Sequence, residues 1–266
     1  MTSIVQPQRL PDFLLSHGRH TVTPVEARQL LGSSETASRR ALARLADAGQ
    51  LFAAGRGLYV VIPPEYRTWG TVPASHFVDD LMRVRERRYY VALLSAAELH
   101  GAAHQAPQVF QVLVDRPLAA RHFERVRIRF LVGKHVAEHP DESVEVRNTP
   151  TGTMRVAGRE LTAIDLVEYA PAAGGLDHVA TVLAELEGLD GAALAALAAR
   201  RDRAVARRLG WLLERFGDDG VDLEPLRAVA QPGAGAATGL RPRPAGRGAR
   251  DPSWGVRVNV DVEPDL

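Results

Sequence analysis

Four residues of one short stretch could read the edges of nucleic acid bases. Thr36, Arg39, Arg40 and Ala43 fall on the same side of a helix if each residue turns it by about 100°. An arginine guanidinium pairs bidentately with guanine and threonine can meet the methyl of thymine. An alanine lets the backbone come close to a major groove. Arg44 lies on the flank of that face, within reach of a phosphate, and Ser34 stands where the helix would begin. A second stretch adds Arg56, lifted at the tip of Ala54-Gly55-Arg56-Gly57 and suited to a backbone or minor-groove contact. The candidate DNA-binding set is therefore Ser34, Thr36, Arg39, Arg40, Arg44 and Arg56. Taken singly, Arg39, Arg40 and Arg56 could equally be solvated charges on a small helical domain. The ordered set of motif, pattern and charge is what points to DNA.

Two helices and a hairpin must position these residues. Thr23 can cap the first helix, Pro24 suits its first position and Glu26 completes a T-x-x-E capping box. Gly32 suits the left-handed residue that ends it. The second helix starts at Ser33 or Ser34, with Glu35 in the first turn, where the helix dipole favours an anion. Its inward side is expected to be Ala37, Ala41, Leu42, Leu45 and Ala48, and Gly49 closes it. Leu51 to Ala53 and Leu58 to Ile62 then read as the arms of a tight hairpin. Helix, turn, helix and hairpin in that order predict a winged helix-turn-helix.

The chain has 266 residues, 45% hydrophobic, enough for one large domain or two modest ones. Net charge is only +1, so any nucleic-acid surface must be a local patch. Residues 1–68 supply one, with eight arginines against five acids. Cysteine is absent, which excludes disulfides and thiolate metal sites. No apolar run approaches the roughly 18 residues of a membrane span and no signal-peptide core is visible, so a cytoplasmic protein is expected. Lys134 is the only lysine. An arginine- and alanine-rich composition of this kind fits the codon bias of a GC-rich bacterium, and the arginine excess is weak testimony to function.

Read in order, residues 1–7 look frayed, Gln8 to His17 forms a helix, and His20 to Val22 a short strand. After Pro63-Pro64 a linker leads to helices at Ala74 to Arg88 and Tyr89 to His100. Strands are expected at Val109 to Asp115, Arg125 to Val132, Ser143 to Arg147 and Thr153 to Ala157. They would form a mostly antiparallel sheet with Arg125, Arg127 and Arg129 on a solvated face. Helices resume from Leu161, and arginines including Arg207 and Arg208 cluster near the last. Residues 231–250 read as a flexible Pro/Gly/Arg-rich loop. Val256, Val258, Val260 and Val262 alternate with polar residues as a strand returning to the sheet. The expected fold class is α+β: a winged helix-turn-helix over 1–68, an α+β domain with a C-terminal helical section over 69–230, the loop 231–250, and the closing strand within 251–266.

Other patterns point to chemistry less well. His135 to His139 matches H-x-x-E-H, but Pro140 follows at once and zinc needs both histidines on one helical turn. His100 and His104 are four apart with Gly101 between them, which suits capping or the surface. Asp261 and Glu263 look like a metal-holding acidic pair without the Gly-Ser turn that should precede it. The glycines at 233, 235 and 239 follow no strand and open no helix. No catalytic residue, metal site or cofactor is expected, and an enzyme is the last-ranked reading.

The order G-R-G-L-Y-V, Y-Y-V-A-L-L-S-A-A-E-L-H-G, L-T-A-I-D-L-V-E-Y and V-R-V-N-V-D-V-E-P-D-L resembles the AbiEi family, from about Leu10 to Leu266. The resemblance implies a bacterial antitoxin of a type IV toxin–antitoxin system. It implies repression of its own operon through inverted repeats in double-stranded operator DNA, read by the helix from Ser34 to Ala48 and the wing at Arg56. It further implies a C-terminal domain that counters a nucleotidyltransferase-type toxin without requiring a stable complex. Two copies on the DNA are expected, and no family catalytic residue exists to carry over. The alternative is a winged-helix regulator whose C-terminal domain senses a small molecule.

Overall fold

The structure is a computed structural model and describes residues 4–102, 107–233, 235–242 and 247–265. It begins with α1 (Leu10–Ser16), β1 (Thr21–Val22), α2 (Pro24–Leu31), α3 (Glu35–Asp47), β2 (Leu51–Gly55) and β3 (Leu58–Val61). The local signals act as read. The Thr23 side chain accepts from the Glu26 N–H, and the Glu26 carboxylate accepts from the Thr23 N–H at 2.7 Å. Gly32 closes α2 at φ +54, in the left-handed region that a side chain would strain. Strands β2 and β3 pair antiparallel across the two-residue turn Arg56-Gly57, and β1 adds to β3 in the order β1-β3-β2. Leu10, Leu14, Val22, Ala27, Leu42, Leu45, Leu51 and Val61 form one buried cluster. Val5 joins it, and its N–H donates to the Leu30 carbonyl at 2.9 Å, so the chain is held here rather than frayed. Residues 1–3 lie outside the described residues.

Beyond Ile62 the elements are α4 (Val78–Val84), β4 (Tyr89–Val91), α5 (Leu93–Leu99), β5 (Phe110–Val114), β6 (Arg121–Phe123), β7 (Val126–Val132), β8 (Val144–Thr149) and β9 (Gly152–Ala157). Two expectations are corrected. The stretch 89–100 is not one helix: Tyr89, Tyr90 and Val91, all β formers, are buried in a strand, and the chain turns at Leu93, φ +53, into α5. The sheet, ordered β6-β7-β5-β4-β9-β8, is mixed rather than mostly antiparallel. Strands β5 and β7 are parallel, as are β4 and β9 where they pair, while β6 and β7 are antiparallel. Strand β6 takes up the reversal, so β7 returns in the direction of β5; alternation in sequence fixes faces, not directions.

Then come α6 (Arg159–Glu168), α7 (Leu176–Glu185), α8 (Gly191–Ala198), α9 (Arg203–Phe216), α10 (Glu224–Ala230), β10 (Thr238–Gly239), β11 (Ala249–Asp251) and β12 (Val256–Val258). The closing strand does not return to the six-stranded sheet. It forms a small separate sheet, β10-β12-β11, ending at Val258. Nor are the described residues of 231–250 a loose loop. Buried Arg207 on α9 donates to the carbonyls of Ala230, Gln231 and Ala236 at 2.7–2.9 Å, and Arg208 donates to that of Gly239 at 3.0 Å. The cause is a helix whose guanidiniums donate to the carbonyls of this stretch, beside the short β10–β12 ladder. Trp254, fully buried, closes the same corner against Gly210 of α9, where a β-carbon would lie 2.0 Å from its ring.

Packing divides the chain into two compact units. The first is Met1–Tyr90, Gln108–Glu138 and Val146–Arg155; the second is Val91–Pro107, His139–Glu145 and Val156–Leu266. The functional division expected at residue 68 falls inside the first unit. Within that unit Phe52 of β2 meets Phe77 and Phe123 with ring centroids 5.4 and 5.1 Å away, and Phe77 meets Phe123 at 5.8 Å. The N-terminal hairpin is thus backed by residues from 77 and 123, contacts worth about 1 kcal/mol each beyond the area they bury.

Candidate nucleic-acid interface

Ser34 is the N-cap of α3, its hydroxyl accepting from the Ala37 N–H at 3.3 Å. The buried side of the helix is Ser38, Ala41, Leu42 and Leu45. Ala37 and Ala48, expected inward, are exposed. Ser38 takes the inward place because it lies three, four and seven residues before Ala41, Leu42 and Leu45. Its hydroxyl is satisfied there, donating to the Ser34 carbonyl at 3.0 Å and sharing a bond with Ser33 Oγ at 2.9 Å. Gly49, at φ +65, follows the helix end.

The opposite side is free. Thr36, Arg39, Arg40, Ala43 and Arg44 are all exposed, as is Ser34. Arg39 pairs with Glu35 one turn earlier at 2.7 Å, but both side chains stay in water, 73% and 62% exposed. Such a pair is worth about 0.3–0.5 kcal/mol and opens readily for a stronger anion. Arg56 is exposed at the hairpin turn. α3 and the turn thus offer guanidiniums on two elements of one unit, one rigid through its cap and core, the other through the aromatic cluster.

The surrounding charges hold this frame. Arg19 pairs with Glu26 at 2.6 Å, which ties it to the cap of α2 rather than leaving it for a ligand. Burial alone would raise the Glu26 carboxyl. The Thr23 N–H and hydroxyl and the Arg19 guanidinium outweigh it and keep the carboxyl below its usual value. Burial, then the neighbouring His20, lower His76 below the usual imidazole value against the pull of Glu65.

The sequence patterns of other chemistry are dispersed. His135 to His139 lies in turns, with His135 Nδ1 3.4 Å from Glu138 and His139 Nε2 3.0 Å from Arg201 Nη2. His100 Nε2 lies 2.7 Å from the Ala157 carbonyl oxygen, and His104 is outside the described residues. The Glu263 N–H donates to Asp177, and Asp261 is exposed. Two basic residues were not singled out from sequence. A β-carbon on Gly55 at the hairpin would lie 3.7 Å from Arg85 Nη2 and 3.8 Å from Arg121 Nη2. Arg83, Arg85, Arg87 and Arg88 make the end of α4 basic, but the sequence does not show its place beside the hairpin.

The family model of a transcriptional regulator, AbiEi antitoxin, matches residues 8–62, and that of the AbiEi antitoxin C-terminal domain matches residues 90–215. The chain belongs to the AbiEi antitoxin family. It is an antitoxin with a regulator part, and Ser34, Thr36, Arg39, Arg40, Arg44 and Arg56 all lie within the regulator match. Families of this kind regulate rather than catalyse. The RV2827C protein from Mycobacterium tuberculosis, known from a crystal structure, shares the fold. It is 16% identical, with a TM-score of 0.66 over 96% of this chain and 92% of that one. No curated protein matches the sequence. Among the described residues no helix is long and apolar enough to cross a membrane.

Proposed function

We propose that this AbiEi-family protein represses its own operon by binding double-stranded operator DNA through an N-terminal winged helix. The observation that carries the reading is the two-sided α3. Ser38, Ala41, Leu42 and Leu45 anchor it, while Thr36, Arg39, Arg40 and Ala43 are exposed within the stretch matched by the regulator model. In this reading α3 enters the major groove, Thr36, Arg39 and Arg40 read bases, and Ser34, Arg44 and Arg56 engage the backbone. Two copies sit on inverted repeats about 34–36 Å apart, one helical turn. The system is of type IV and acts in the cytoplasm. Residues matched by the C-terminal model counter a nucleotidyltransferase-type toxin without a stable complex being required.

Co-expression tests the antitoxin half. The adjacent downstream gene is induced alone, then with this protein, and growth is scored. Toxicity relieved by the full chain is the expected result. A harmless neighbour would contradict the toxin partnership and favour a ligand-sensing regulator instead.

A further inference from the structure

Two arginines from separate stretches of the first unit come together beside the hairpin tip, next to the exposed Arg56. A β-carbon on Gly55 would touch Leu81 Cδ1 at 3.4 Å and stand less than 4 Å from both Arg85 Nη2 and Arg121 Nη2. The two guanidinium ends therefore converge on one backbone point, and Arg56 is the next residue along. The approach is fixed from below. A β-carbon on Gly57 would lie 3.3 Å from Val84 at the end of α4, and Phe123, two residues after Arg121, packs on Phe52 of β2.

These charges are not spent inside the protein. Among the described residues no carboxylate forms an ion pair with Arg56, Arg85 or Arg121. Arg85 Nε is buried without a hydrogen-bond partner. The nearby acids are otherwise engaged or in water: Asp80 pairs with Arg83, Glu124 lies against Gly70, and Glu86 is exposed. Like charges held this close repel one another, and an anion that bridges them removes the cost. A planar guanidinium offers paired donors that match phosphate oxygens.

We infer that Arg85 and Arg121, together with Arg56, clamp one backbone phosphate of the duplex whose groove α3 enters. The inference rests on the DNA-binding reading and extends it. The phosphate contact at the hairpin is built by residues after 68, and Arg85 lies between the two family matches. Arg56 alone would reach the backbone from a two-residue turn; two further guanidiniums, at the end of α4 and on β6, fix where the phosphate must lie.

The test is a titration of the full chain into a labelled duplex carrying the region upstream of its own gene, repeated over a range of salt. Each phosphate contact contributes about 0.9 to the slope of log K against log salt. Arg85→Gln and Arg121→Gln should each weaken all duplexes alike and lower the slope by at most about 0.9, and the double variant by about 0.9 in all. Arg121→Lys should keep the slope. An unchanged slope in the double variant overturns the clamp, as does a loss of about 1.8, which would mean two phosphates. Wild type that binds no duplex would sink the DNA reading itself. Wild-type binding whose sequence preference fails with Arg39→Ala, but whose slope ignores Arg85 and Arg121, would sink the clamp alone. Melting curves check folding. Should Arg85→Gln unfold, Arg121→Gln, at a sheet edge, carries the test.

Discussion

α3 and α9 are both arginine-bearing helices, and they use the residue in opposite ways. On α3, Arg40 and Arg44 are exposed and Arg39 holds only a solvent-exposed partner. On α9, Arg207 is 3% exposed and its donors close on the carbonyls of Ala230, Gln231 and Ala236. Arg201, just before α9, is likewise buried between Asp165, Glu168 and His139. In a chain where nearly every basic residue is arginine, the count says little. What separates a binding surface from a structural staple is whether the guanidinium already has its partners.

That contrast can be broken by substitution. Arg207→Met should cost the most stability, about 2–4 kcal/mol, because it leaves the carbonyls of Ala230, Gln231 and Ala236 without their donors. Thermal unfolding would show it, and a melting temperature within a degree or two of wild type would mean that the segment is held by something else. Gly210→Ala should follow, at about 1–3 kcal/mol, since its new methyl group would collide with the Trp254 ring. A stable Gly210→Ala protein with unchanged tryptophan fluorescence would contradict that packing.

In the first unit the effects should be smaller and differently placed. Thr23→Ala removes the cap of α2 and should cost about 1 kcal/mol at neutral pH. The Glu26 carboxyl is held below its usual value in the fold. Its contribution is therefore full above the ordinary glutamate range and fades as pH falls through the lowered folded value. The gap between wild type and Thr23→Ala should accordingly narrow in acid; a gap independent of pH would show that Glu26 is not part of the cap's stability. Smallest of all, Glu35→Gln should change stability by less than about 0.5 kcal/mol. It should slightly tighten DNA binding by freeing Arg39 and removing a negative charge from the face. Weaker binding would place Glu35 among the contacts.

How much of this was legible in the sequence follows the range of the forces. Signals acting over three or four residues were readable: the Thr23–Glu26 box, the Ser34 cap, the left-handed Gly32 and the Arg56-Gly57 turn. Ser38 was missed because its polar type was weighed above its spacing, although a serine can satisfy its hydroxyl on its own helix. The Tyr89–Val91 strand was hidden in an apolar run short enough to suit either period. The corner at 231–258 could not be read from its composition, since its order comes from Arg207, Arg208 and Gly210, some 20 to 50 residues earlier. The neighbours of Gly55 were equally distant in sequence. The six candidate contact residues lie on exposed positions, as their spacing on the helix and the turn indicates.

The most direct test of the central claim is a footprint of the full chain on the DNA upstream of its own gene, set beside the Arg39→Ala/Arg40→Ala double variant. Wild type should protect two half-sites of an inverted repeat. The double variant, equally stable to heat, should lose that protection at low and moderate salt alike. A double variant that protects the same half-sites as wild type, at the same concentration, would contradict the assignment of the exposed face of α3 as the surface that reads DNA.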